Sequence, residues 1–310
     1  MEDIRHPFFS VVIPAYNQGR WAREAVESAL NQGRRDVEVI AVNDGSTDNT
    51  GAVLAEYADR VKIIVQPNSG VSAARNRGIA EARGEWIAFL DADDRYRPGH
   101  LDRLFQAIQS CPEAGLVYAD AMYIDEEGRE VKAKRSPPLG ENQFRSLLLN
   151  NAVTASASAA KKSALDRAGG FPPQLKAGED WDLWLRIARN HRLVHVPAIS
   201  IDYRWQRRGA IHTLGTRIRD DNLQTVARAA GWDPSLPPAL LRKARANCYL
   251  ASAIRLITAL EIAAARKELE AALREDWKTP QAWLLFLLTL GGKPLAALAF
   301  RLRRNRKLTP

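Results

Sequence analysis

The sequence predicts an α/β protein, a doubly wound and mostly parallel sheet flanked by helices, with an α-helical C-terminal extension. Three observations carry this. Four short apolar runs, "FFSVVIP" (8–14), "VEVIAVN" (37–43), "VKIIVQ" (61–66) and "EWIAFL" (85–90), are rich in β-branched or aromatic residues, as strands covered on both faces are. Amphipathic stretches at 20–31, 48–58 and 71–82 separate them, and such strand–helix alternation builds a parallel sheet. From about residue 217 the pattern turns to Ala- and Leu-rich helical periodicity with little strand signal. Domains are therefore expected at 1–215 and 216–310.

Composition narrows the function classes. With 310 residues, 46% hydrophobic and 26% charged, the chain can bury a sizeable core, which argues against disorder as its main state. Lys+Arg 45 against Asp+Glu 36 gives a formal charge of +9, which favours anionic partners: nucleotide phosphates, anionic lipids or nucleic acid. Charge alone does not choose among them. Cys111 and Cys248 lie far apart without metal-ligand spacing, so they read as packing cysteines in a reducing compartment rather than a disulfide framework. The start "MEDIRHPFF" has no basic segment followed by a long apolar one, so no secretory signal is visible and a cytoplasmic location is expected.

Ligands of open parallel sheets sit beyond the carboxyl ends of the strands. Polar or special residues follow every predicted strand here: Pro14, Ala15, Tyr16 and Asn17 the first, Asn43, Asp44, Gly45 and Ser46 the second, Gln66, Pro67 and Asn68 the third, and Asp91, Ala92, Asp93 and Asp94 the fourth. Asp48, in "STDNT", is placed to cap the next helix. Asp91 and Asp93, one residue apart, suit a hard divalent cation, Mn²⁺ or Mg²⁺. Its charge offsets their repulsion, and part of its coordination shell stays open for diphosphate oxygens. Neither a P-loop nor a dinucleotide fingerprint occurs, so no other phosphate cradle competes. In "QPNSGVSAARNRG", Ser69 and Gly70 are placed to open a helix towards phosphate, and Arg75 reads either as a nucleotide-sugar contact or as a solvated helix residue.

The motifs "VVIPAYNQGRW", "VNDGSTDNT", "GVSAARNRGIA", "FLDADD" and "GEDWDLWLR" stand in the order found in the inverting family 2 glycosyltransferases of the GT-A fold. Over about residues 8–205 the chain resembles that family. The resemblance implies that Asp91, Ala92 and Asp93 form the element that binds the metal and the diphosphate of a nucleotide sugar, with Asp93 the more direct metal ligand. It implies that Pro14, Ala15, Tyr16 and Asp44 hold the base, and that Asp180, of a Glu-Asp pair, is the catalytic base. Uridine diphosphate sugars are the commonest donors of the family, and cell-surface glycan or glycolipid synthesis is the expected setting. Asp180 also suits a helix N-terminal carboxylate favoured by the macrodipole. Family members often carry a His shortly after a Tyr-Arg strand end as a further metal or phosphate contact. Here "IDYRWQRRGAIHTLG" puts His212 nine positions after Tyr203 across an arginine-rich insertion, so a metal ligand and a structural or surface His both stay open.

Two other function classes compete on the residues. A nucleotidyl or phosphoryl transferase would also want paired carboxylates but has no need of a lone base at Asp180. A protein that only binds nucleotide, nucleic acid or another protein leaves the strand-end motifs unexplained, so no nucleic-acid partner is expected. The acceptor is legible only as a hydroxyl.

Residues 265–283 resemble one degenerate tetratricopeptide-like helix-turn-helix. "WLLFLLTLGGKPLAALAF" (283–300) is interrupted by Gly291 to Pro294, and its first apolar piece is too short to span a membrane. Either Trp283, Leu284 and Phe286 pack against the preceding helices, or the segment forms an interfacial hairpin. In the second case Arg301, Arg303, Arg304, Arg306 and Lys307 meet anionic lipid in a peripheral membrane contact.

Overall fold

The computed structural model describes residues 6–205 and 215–290. The chain divides into two compact units, Met1–Leu147 with Asn151–Thr213, and Leu148–Asn150 with Leu214–Pro310.

The first hundred residues form the predicted alternation: β1 (Phe9–Ala15), α1 (Ala22–Leu30), β2 (Val37–Asn43), α2 (Thr50–Ala55), β3 (Lys62–Val65), α3 (Val71–Glu81) and β4 (Trp86–Phe89). Then follow β5 (Arg95–Tyr96), α4 (His100–Ser110), β6 (Ala114–Ile124), β7 (Glu130–Lys134), α5 (Gln143–Leu149), a 3₁₀ turn (Ala155–Ala157), β8 (Ser158–Lys161), α6 (Lys162–Ala168), α7 (Glu179–Ala188) and β9 (Arg192–Arg204). The sheet order is β3-β2-β1-β4-β8-β6-β9-β5, with β7 paired to β6. Six of its nine strands, β3, β2, β1, β4, β6 and β9, point one way; β8, β5 and β7 run against them.

Alternation along the strands gives two dry faces, as a sheet covered on both sides requires. Phe9, Val11, Ile13, Trp86, Ala88 and Leu90 join α1, α2 and α4 in one core cluster. On the opposite face Phe89 packs edge-to-face on Phe171 at 5.3 Å and tilted against Trp184 of α7 at 5.8 Å. Gly78 decides how close α3 comes to this face, because a Cβ there would lie 2.4 Å from Val12 Cγ1. No larger side chain permits that approach.

Strand β8 is not legible from sequence, since "SAAK" has neither β-branched nor aromatic residues. Tertiary context overrides propensity: β8 fills the gap between β4 and β6, and Ala159 and Ala160, both fully buried, let both faces of the sheet be covered tightly.

The second unit contains α8 (Arg217–Trp232), α9 (Pro238–Thr258), α10 (Ile262–Glu275) and α11 (Pro280–Leu290). Its core is made largely of small and aliphatic residues, Leu250, Ala253, Ile257, Ala265, Leu269, Ala272, Ala282 and Leu285, the alanines allowing close helix approach. Phe286 packs against this cluster, whereas Trp277, Trp283, Leu284, Leu287 and Leu290 are exposed. Of the two readings of this segment, packing against the preceding helices holds for Phe286 but not for Trp283 and Leu284, since one helix cannot turn every side to the core. No helix among the described residues is long and apolar enough to cross a membrane. The basic segment Arg301 to Lys307 lies outside the described residues. Cys111 and Cys248 are unpaired, and burial pushes the Cys248 thiol up to about 12, as fits a packing residue.

Candidate functional site

Parallel pairing brings the strand-end residues to one edge. Ala15 lies beside Asn43 and Val12 beside Phe89, so the segments starting at Tyr16, Asp44 and Asp91 leave the sheet together. Pro14 and Ala15 are buried in the strand, while Tyr16 is exposed on the rim. The next residue, Asn17, has φ +53°. From that left-handed position its side-chain oxygen accepts N–H of Thr47 at 2.8 Å, and its own N–H donates to Ser46 Oγ at 3.1 Å. The first two loops are stitched together by a residue type that tolerates this backbone.

Asp44 is buried and its carboxylate is largely committed. Oδ1 accepts Gln66 Nε2 at 2.7 Å and the Ser69 N–H at 2.9 Å, and Oδ2 accepts the Gly70 N–H at 2.8 Å. Gly70 opens α3 as expected, and the Ser69 and Gly70 N–H groups are both taken by Asp44, because a buried carboxylate needs donors and these lie nearest. Of the roughly four lone-pair positions of a carboxylate, one is left for a ligand. Asn49, not Asp48, holds the N-cap position of α2; Asp48, one residue earlier, still accepts the Thr50 N–H at 2.9 Å and, through its other oxygen, the Gly19 N–H at 3.0 Å.

The turn after β4 is strapped from two sides. Antiparallel β8 starts beside the end of β4, which puts Ser156 against the carboxylate cluster: the Asp91 N–H donates to Ser156 Oγ at 3.1 Å, and that hydroxyl donates to Asp94 Oδ2 at 2.6 Å. From the end of β9, the Arg204 N–H reaches Asp94 Oδ1 at 2.8 Å, while the guanidinium donates to the Asp93 carbonyl at 2.8 Å and to Glu24 at 2.8 Å. Burial, then the charges of Asp93 and Asp91, hold the Asp94 carboxyl well above the usual range. Asp94 is thus the structural member of the cluster. Asp91 and Asp93, only partly buried, face the rim, and Ala92 between them is buried.

Arg75 proves to be neither a solvated residue nor an obvious ligand-facing one. It is 3% exposed, with Nη2 2.7 Å from Asp91 Oδ1, Nη1 2.7 Å from Glu179 Oε1, and its guanidinium over the Phe171 ring. Burial works against its charge, but Asp91, Glu179 and Asp180 more than offset that and hold it protonated. Because Gly70, held by Asp44, opens α3 and Arg75 lies on that helix, one element joins the Asp44 loop to the Asp91 turn and to α7.

Asp180 is in the first turn of α7, next to Glu179. Its Oδ1 accepts the Trp181 N–H at 2.6 Å and the Asn151 side-chain amide at 3.3 Å. Burial, then the adjacent Glu179 charge, pushes its carboxyl up to about 6, against the pull of Arg75 and Lys134. A carboxylate tuned to that range is suited to take a proton near neutral pH. His212 lies outside the described residues. Among the described residues no group of three or more His, Cys, Asp or Glu is placed to hold a metal. The pair Asp91 and Asp93 still fits Mg²⁺ or Mn²⁺, which typically take one or two protein carboxylates and complete their shell with substrate phosphates and water.

Sequence reading missed Lys134, Asn151, Thr154, Ser156 and Arg204. Only Arg204 carried a signal, as the Arg ending a strand; the others sit in unremarkable polar contexts and acquire their positions through long-range pairing.

Comparison with known proteins agrees with this geometry. The family model for glycosyl transferase family 2 matches residues 10–169. An uncharacterized glycosyltransferase of Rickettsia bellii is 31% identical over 194 residues, 61% of this chain and 28% of that protein. The chondroitin synthase of Escherichia coli is 31% identical over 223 residues, 71% of this chain and 31% of that protein. The chain thus spans under a third of the length of these two relatives. Among solved structures, S. aureus TarS 1–349 in complex with UDP-GlcNAc superposes with a TM-score of 0.65 at 19% identity, covering 86% of this chain and 82% of that one. The mannosyltransferase PcManGT of Pyrobaculum calidifontis, with GDP-Man and Mn²⁺, gives 0.60 at 23% identity, covering 96% and 85%. These likenesses establish the GT-A type of fold. With more than half of its length matched by the family model, the chain belongs to glycosyl transferase family 2.

Proposed function

We propose that this protein is an inverting glycosyltransferase that moves a sugar from a nucleotide diphosphate, uridine diphosphate favoured, to a hydroxyl acceptor on the cytosolic side of a membrane. The observation that carries the reading is the Arg75 bridge: one guanidinium ties Asp91, in the turn suited to a diphosphate and its cation, to Glu179, the neighbour of the raised carboxyl of Asp180. A donor end and a base end are held at fixed separation, which is what displacement at an anomeric carbon demands. The rim at Tyr16 and the remaining lone pair of Asp44 receive the base. Asp180 takes the acceptor hydroxyl proton as the oxygen attacks the anomeric carbon from the side opposite the departing diphosphate, inverting it. Asp91 and Asp93 would hold the divalent cation, which supplies charge neutralisation to the leaving diphosphate when bound. Fold relatives seen with UDP-GlcNAc and with GDP-Man and Mn²⁺ support the donor class.

The test is incubation with UDP-GlcNAc and GDP-mannose in Mn²⁺. Slow release of nucleoside diphosphate is expected, whereas pyrophosphate release would instead mark a nucleotidyl transferase. Asp93→Ala is expected to abolish release and weaken nucleotide binding with the melting temperature little changed, since a rim carboxylate adds little to the core. Undiminished turnover in that variant or in excess chelator removes the cation from the reading.

A peripheral membrane contact belongs to the same proposal. Trp277, Trp283, Leu284, Leu287 and Leu290 expose apolar and interfacial side chains just before a segment rich in arginine. Flotation with anionic vesicles is expected to carry the protein, and each basic residue near the surface adds about 1 kcal/mol, so binding weakens as salt rises. A protein that never floats, or that floats equally in neutral vesicles, rules this contact out.

A further inference from the structure

Lys134 ends β7, opposite Ala121 of β6. Its ammonium donates to Thr154 Oγ1 at 2.6 Å. Three residues before Thr154, the side chain of Asn151 donates to Asp180 Oδ1 at 3.3 Å. One short segment, 151–154, therefore anchors the lysine at one end and the candidate base at the other. The Asn151 side chain is braced in turn, its oxygen accepting the Val153 N–H at 3.2 Å.

The electrostatics of this corner are lopsided. Asp180 and Asp94 act on Lys134, Glu179 adjoins Asp180, and Arg75 is already shared between Glu179 and Asp91. Burial pulls the Lys134 ammonium down, while Asp180 and then Asp94 pull it up. A half-buried ammonium beside a neutral hydroxyl is favoured by such counter-charge.

We propose that Lys134 is a positioning residue for Asp180: pinned by Thr154, its ammonium supplies from β7 the positive charge that, with Arg75 from α3, keeps the base ionised for the acceptor proton. The proposal rests on the reading of Asp180 as that base. The charged groups facing Asp180 are Glu179 on its own helix, which favours the protonated form, and Arg75 and Lys134, which favour the ionised form; the Trp181 N–H also favours the ionised form. Asn151 adds a neutral donor. Removing Lys134 therefore raises the pH at which Asp180 ionises.

Two measurements on the full chain test this. In the nucleotide-free protein, ¹³C carboxyl NMR follows Asp180, its signal assigned by its loss in Asp180→Asn. Lys134→Gln, which keeps a hydrogen-bonding group near Thr154 and removes the charge, is expected to move that titration to higher pH, and Lys134→Arg to restore it. With UDP-GlcNAc and Mn²⁺ as the probe, Lys134→Gln is expected to lose about tenfold more turnover at about pH 6 than at about pH 8.5, where Asp180 is ionised in either protein. UDP affinity should stay the same. Should Lys134→Gln not fold, Thr154→Val, which frees the ammonium without removing it, is expected to move the titration the same way. An unmoved Asp180 titration overturns the proposal whatever the turnover. A moved titration in a protein that releases nucleoside diphosphate from no donor upholds the Lys134–Asp180 coupling and discards the transferase reading instead.

Discussion

Asp180→Asn is expected to slow transfer by about 10²–10⁴ while making the protein more stable at pH 8. The two effects share one cause. The folded carboxyl titrates at about 6, against about 3.9 for free aspartate, because burial and the neighbouring Glu179 disfavour its charge. Between those values the folded chain holds a proton that the unfolded chain has released. The group's contribution to stability is thus complete below about pH 4, and it is lost as pH rises through about 6. Above that, the ionised carboxylate destabilises the fold by about 1–3 kcal/mol, a range lowered for its coupling to Glu179. Asparagine keeps the shape and an acceptor for the Trp181 N–H but carries no charge. Thermal unfolding at pH 8 should show the gain, and at pH 4 it should vanish. The acid limb of the rate profile, near pH 6 in the native enzyme, should disappear in the variant. Equal loss of nucleotide affinity and turnover, with no gain in stability, would show Asp180 to be structural.

Arg75→Met is expected to produce the opposite pairing, loss of both turnover and stability. Removing the guanidinium strands Asp91 and Glu179, and breaking a buried ion pair costs about 3–5 kcal/mol. Asp91 retains some access to water, so about 2–4 kcal/mol is the expected cost here. Turnover should fall more than 10²-fold, on the order of what a misplaced catalytic group costs. Arg75→Lys should recover only part, since an ammonium cannot fork between two carboxylates. The double variant with Glu179→Gln should regain part of the stability but not turnover, because the more buried of the two stranded charges is gone while Asp91 stays unpaired and unanchored. Chemical denaturation of the four proteins checks this; an Arg75→Met protein within about 0.5 kcal/mol of the native one, the range of ordinary surface changes, refutes the bridge.

Arg75 and Asp44 show where sequence legibility stops. Both stand in recognisable motifs, yet a motif does not say that Arg75 is buried between two acids or that Asp44 spends its carboxylate on the loop at 66–70. Asp94 and Asp93 are adjacent and chemically identical, and only Ser156 and Arg204, 62 and 110 residues from Asp94, make Asp94 structural. Lys134 had no mark in the sequence at all.

The sequence by itself determined the local periodicities and therefore the strand–helix alternation, the rim of residues after β1, β2 and β4, the family-like motifs that place Asp91, Asp93 and Asp180, and the helical character beyond residue 217. Those are properties of neighbouring residues, set by side-chain alternation, turn chemistry and local charge. Only the tertiary structure decided the antiparallel insertion of β8, the strapping of the Asp91–Asp94 turn, the Arg75 bridge and the joining of Lys134 and Asp180 to the one segment 151–154. Each depends on contacts between residues far apart in the chain, and on burial, which strips water from charged groups and so separates the raised carboxyls of Asp94 and Asp180 from Asp91 and Glu179, paired with Arg75.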